Sequence, residues 1–102
     1  MKQQELIDLL EGWGFNRVSC GELLLRDRLA QHRVIITEIY VDIVVSIHYL
    51  GKEYHDGYRF PVDALELIAR ENILMISKDC LMSAMRKLFN NYVSKSFLRE
   101  LS

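Results

Sequence analysis

Proline occurs once in the 102 residues, at Pro61, and glycine only five times. So few chain breakers leave little room for linkers, and most of the chain is expected to be in regular structure. Cysteine is scarce too. Cys20 and Cys80 lie far apart, with no Cys-x-x-Cys pair and no neighbouring His cluster, which excludes a disulfide-rich scaffold and a structural zinc motif; both are expected to be reduced core thiols. Neither sign of charge prevails: thirteen Lys and Arg face fourteen Asp and Glu, a formal net charge of -1. No overall basic field exists to gather nucleic acid or anionic lipid. No apolar run is both long and free of charge. Val34 to Leu50 comes nearest, but Glu38 and Asp42 near its middle are costly in hydrocarbon, so no membrane partner is expected. The start, Met-Lys-Gln-Gln-Glu, lacks the apolar core of a signal peptide, and a cytoplasmic location is expected.

Half of the residues are hydrophobic and 26% are charged, the composition of a folded domain, and the length suits a single domain over residues 1–102. The strongest pattern is Val34 to Leu50. Ile35, Thr37, Ile39, Val41, Ile43, Val45, Ile47 and Tyr49 occupy its odd positions, while Glu38, Asp42, Ser46 and His48 occur at even ones. Period two with β-branched residues on one side reads as a strand with an apolar face. As one straight strand it would be about 55 Å long at roughly 3.3 Å per residue, so a bend or bulge near Tyr40 to Asp42 is expected, letting each half pair with a different neighbour.

Helical spacing marks Lys2 to Glu11, through Leu6, Ile7, Leu9 and Leu10, closed by Gly12 and Gly14 with Trp13 tucked into the core. Ser19 to His32 admits two readings. Ser19 and Glu22 form a capping-box spacing before good helix formers, yet Gly21 to Leu29 can equally be the first arm of a hairpin turning near Ala30 to Arg33. Gly14 to Leu24 is similar to the stretch of adenylate kinases in which a Gly-Phe turn leads to Ser-Thr-Gly-Asp-Leu-Leu. That family's phosphate loop, Gly-x-x-x-x-Gly-Lys-Ser/Thr, does not precede it here, so the resemblance implies no phosphate chemistry and supports only the helical reading after Ser19.

Beyond Gly51, Lys52 to Phe60 reads as a returning strand or loop interrupted by a turn at Asp56-Gly57, and Pro61 ends the ladder. Asp63 and Glu66 cap a helix reaching about Asn72; Ile73 to Ile76 is an apolar link; Ser77 caps a last helix to about Leu101. The fold class expected is α+β, an antiparallel sheet centred on residues 34–50 and packed on one face by an N-terminal helix and two C-terminal helices. The apolar stripe of the last helix is wide, and Met82 and Ala84 broaden it beyond what one sheet face needs, leaving a second contact open.

Catalytic patterns are weak. Asp42, Ser46 and His48 share one strand face, but i to i+2 positions lie roughly 6.5 to 7 Å apart, beyond nucleophile–base reach. His55-Asp56 is too small a set for a metal, and no metal or cofactor is expected. For protein binding the candidates are Tyr54, His55, Tyr58 and Arg59 in the stretch Tyr49 to Phe60, and Tyr40, Asp42 and His48 on the outer strand face, because Tyr and Arg carry much of interface energetics. Tyr49 and Phe60 are expected in the core, with Tyr54 and Tyr58 exposed. For nucleic acid the candidates are Arg86, Lys87, Asn90, Lys95 and Arg99 on the polar side of the last helix, where five Lys or Arg follow Ser77 against two acids. The reading that follows is a non-catalytic protein-interaction module, an inhibitor, adaptor or regulator of the phage or plasmid accessory type, with a second copy of the chain as a further candidate partner in a homodimer. Its alternative is a small nucleic-acid-binding regulator.

Overall fold

The computed structural model describes the backbone of residues 1–101 and the side chains of residues 1–91. Helix α1 (Gln3–Gly12) is followed by five strands, β1 (Asn16–Ser19), β2 (Glu22–Arg26), β3 (Ala30–Ile36), β4 (Tyr40–Tyr49) and β5 (Lys52–Pro61). A 3₁₀ segment, Val62–Leu67, leads into α2 (Arg70–Leu101). The strands form one antiparallel sheet in the order β1-β2-β3-β4-β5, a meander in which chain neighbours are sheet neighbours. Both helices pack on one face of it. The α+β class, with a terminal helix from each end of the chain on one side of an antiparallel sheet, is as the periodicity implies.

Helix α1 ends in a Schellman motif. Gly14 takes φ 99°, Gly14 N–H donates to Glu11 C=O at 3.0 Å and Phe15 N–H to Leu10 C=O at 3.0 Å. That motif carries the residue after the glycine inward, so Phe15 is buried beside Leu10 while Trp13, at the cap, stays 36% exposed. Trp13 is therefore a wall residue and not the core residue expected.

Residues 19–32 are strands and their turns, not helix, and the β2–β3 hairpin turns at Asp27 to Leu29, ahead of the Ala30 to Arg33 expected. The turn between β2 and β3 is built by Asp27, whose Oδ1 accepts from Leu29 N–H at 2.8 Å and Ala30 N–H at 2.7 Å. This side-chain turn does without glycine. Cys20, at the β1–β2 turn, is exposed and free, a correction to the core thiol expected; Cys80 is free and buried.

The largest correction concerns residues 34–50, which are not one bent strand. They fold back at Thr37 to Ile39, and β3 pairs with β4 from Ala30↔Ile47 to Ile36↔Val41. Thr37 Oγ1 accepts from Ile39 N–H at 3.2 Å and from Tyr40 N–H at 3.0 Å. The inward residues accordingly change parity: Ala30, Val34 and Ile36 before the turn, Val41, Val45 and Ile47 after it. Ile39 lies at the turn and is 75% exposed.

Leu50 (φ 50°) and Gly51 (φ 77°) form the two-residue turn from β4 to β5. Asp56-Gly57 is no turn: Gly57 sits in β5 opposite Val44, where a Cβ would lie 3.1 Å from Ile43 O and 3.2 Å from Val44 Cγ2. Close strand approach asks for the glycine. Nor does a second helix end at Asn72. α2 begins at Arg70, and Ile73 to Ser77 belong to its first turns because Ile73, Cys80 and Ala84 continue one buried stripe. Two apolar clusters result: one joins Leu6, Leu10, Phe15 and Leu23 to Val41, Phe60 and Ile73, the other joins Ala30, Val45 and Ile47 to Cys80 and Ala84.

Candidate functional site

Strand parity sorts the candidate residues. Cross-strand pairs Asp42↔Arg59, Ser46↔His55 and His48↔Glu53 belong to the face away from the helices, as does Tyr40, whereas Tyr54 and Tyr58 pair with the inward Ile47 and Ile43. On the outer face Arg59 grips Asp42 with both ends, Nε to Oδ1 at 2.6 Å and Nη2 to Oδ2 at 2.8 Å, and its guanidinium lies 3.9 Å from the Tyr40 ring centroid. Asp42 pushes the Arg59 pKa further up. These charges are spent on each other. His48 Nε2 approaches Glu53 Oε1 only to 3.9 Å.

Tyr49 to Phe60 is a hairpin arm and not a loop, and part of it is tied to α2. The Tyr54 hydroxyl accepts from Asn91 Nδ2, and Lys87 Nζ donates to His55 C=O at 2.8 Å. Asp56 Oδ1 accepts from Gly57 N–H at 2.8 Å; Ser83, this N–H and Lys87 hold the Asp56 carboxyl below its usual range. Tyr54 is half-buried, Tyr58 exposed beside a buried Phe60, and Tyr49 is 48% exposed and not in the core as expected. Among the nucleic-acid candidates, Arg86 and Asn90 are exposed on α2, whereas Lys87 turns to β5; Lys95 and Arg99 lie outside the described side chains.

α2 carries a second apolar stripe beside the one packed on the sheet. Met75, Met82 and Phe89, seven residues apart, are 59%, 51% and 66% exposed, and Leu74 and Met85 flank them. Near the β4–β5 turn, Tyr49, Met85, Leu88 and Phe89 line a shallow apolar hollow. No described strand or helix covers the stripe.

A cleft of about 250 Å³ opens between the two helices. Its floor is Leu25, His32 and Val34; Leu10, Trp13 and Phe15 form one wall and Ile73, Ser77, Lys78 and Leu81 the other. Sequence spacing could not assemble it, because His32 and Ser77 are 45 positions apart. His32 Nδ1 lies 3.3 Å from Ser77 Oγ and His32 Nε2 lies 3.5 Å from Asp27 Oδ2. Backbone N–H groups of Ala30 and Leu29 lower the Asp27 pKa.

Neither family models, curated proteins nor solved structures match the chain.

Asp27, His32 and Ser77 stand in the order carboxylate, imidazole, hydroxyl of a hydrolase relay. Ser77, however, lies within α2, where neighbouring backbone N–H groups are committed to the helix ladder and cannot converge on a developing oxyanion. The row is suited to fixing a hydrogen bond at the cleft floor. Among the described residues no group of three or more His, Cys, Asp or Glu could hold a metal ion, and no helix is long and apolar enough to cross a membrane.

Proposed function

We propose that the protein is a non-catalytic recognition module that binds another protein through the exposed apolar stripe of α2. The observation that carries the reading is the seven-residue recurrence of Met75, Met82 and Phe89 on the solvent side of a helix already packed along its other face. A seven-residue spacing matches the seam along which one helix packs on another, so the partner we favour presents an amphipathic helix. Methionine suits such a surface because its flexible, polarisable chain adapts to a partner's contours. The same reading includes a cytoplasmic setting, with which two free thiols agree. The Tyr40–Asp42–Arg59 cluster is a rim contact at most, since its charges are already paired.

The test uses the wild-type protein and a Met82→Glu, Phe89→Glu double variant, with fold checked by circular dichroism. A photo-crosslinking residue at Met75 is expected to tag one partner species from the host extract, and the double variant is expected to lose that species. Retention of the species by the double variant overturns the reading. A crosslink only between copies of this chain, with matching self-association in sedimentation, replaces a different protein by a homodimer and also overturns it.

A further inference from the structure

The cleft follows from unequal helix lengths. α1 has 10 residues and α2 has 32, about 15 Å against about 48 Å. Beyond Trp13 the inner face of β2 and β3 has only one wall, and Leu25 and His32 stay half-buried. Three lining residues are polar, His32, Ser77 and Lys78, and none is acidic. Lys78 is exposed and is the one Lys or Arg in the lining; His32 and Ser77 are already bonded to each other. An apolar cleft with one cationic residue in its lining favours a ligand with an apolar body and an anionic end.

We infer that this cleft binds a small aromatic carboxylate, its ring between Trp13 and Leu81 and its carboxylate at Lys78. Size supports the class. An apolar cavity of about 150 Å³ admits benzene, so one of about 250 Å³ takes a ring with a short acidic arm. The wall supports it as well, because Trp13 and Phe15 offer ring surfaces against which another ring packs edge-on or offset. The site adjoins the stripe proposed for protein binding: Leu74 borders both, whereas Met75, Met82 and Phe89 do not line the cleft.

Trp13 is the sole tryptophan, so its fluorescence reports directly on occupancy. Titration with phenylacetate is expected to change the emission saturably and to shift the amide resonances of Leu25 and His32. Phenylacetamide, which keeps the ring and loses the charge, is expected to bind about fivefold more weakly, the size of one partly exposed ion pair. Lys78→Met, which keeps the apolar stem, is expected to remove that preference and leave phenylacetamide binding unchanged. The inference is overturned by the absence of a saturable change up to millimolar ligand, by shifts confined to other residues, or by a preference that survives Lys78→Met. Equal affinity of the wild-type protein for the acid and the amide also overturns it, leaving a pocket for neutral apolar groups.

Discussion

Leu50 has a positive φ of 50° although it is neither glycine nor asparagine, and its side chain is 79% exposed. An L-residue with a Cβ is strained in this region by roughly 1 to 2 kcal/mol, and an exposed leucine recovers little of that by packing. Leu50→Asn, which makes the Asn-Gly pair favoured in two-residue hairpins, is expected to stabilise the protein by about 0.5 to 1 kcal/mol in urea unfolding. A loss of stability would show that Leu50 makes a contact that matters more than its backbone strain. Residue chemistry also explains which turns were legible. Gly51 announced its turn, as did Gly14, because positive φ selects glycine. Asp27 and Thr37 build theirs with side-chain oxygens, the first among residues that also read as helix formers, the second within plain alternation. Ile35 and Ile39 hid the change of parity at Thr37, since both are β-branched and both continue the odd series although neither is buried. Asp56-Gly57 misled in the opposite sense: its glycine answers to the crowding of Ile43 and Val44 across the strand pair.

At the scale of elements, α2 works through small residues on one side and large ones on the other. Ala84 and Cys80 are buried against Val45 and Ile47, which lets the helix lie close on β4, while Met82 and Phe89 face solvent. Ala84→Leu inserts volume where none is free and is expected to cost about 1 to 3 kcal/mol in chemical denaturation. Met82→Leu, on the exposed side, is expected to change stability by less than about 0.5 kcal/mol. Similar costs for the two would mean that the stripe is covered. The buried side was legible only in part: Ala84, read with Met82 as surplus to the sheet contact, is fully buried, and Ile73, read as part of a link, opens the buried stripe. Where α2 starts was not legible: Asp63 and Ser77 resemble caps, yet neither makes the capping contact, and Asn72 Oδ1 instead accepts Ala69 N–H at 3.0 Å. The cleft was beyond reach, since its parts come from α1, three strands and α2, and only their packing joins them.

For the whole molecule, a meander leaves two edges, and they are unequal. β1 has four residues and β5 has ten, so β5 is the edge at which another chain could add. His55 C=O and Gly57 N–H, of the same strand parity as Pro61, which has no N–H, are occupied by Lys87 and by the Asp56 carboxylate. The Asp56 pKa is lowered in the fold, so its contribution is complete above the ordinary carboxylate range and is lost as pH falls through the lowered value. Protonation also removes the charge facing Lys87, whose Nζ lies 3.9 Å from Asp56 Oδ1. Polymerisation is thus held off by an ionised carboxylate: strong acid is expected to unlock β5 as a template for cross-β fibres, and Asp56→Ala to allow the same growth near neutrality. Thioflavin T kinetics over a pH series would check it, and equal lag times for the wild-type protein and Asp56→Ala at neutral pH would show that the carboxylate does not guard the edge.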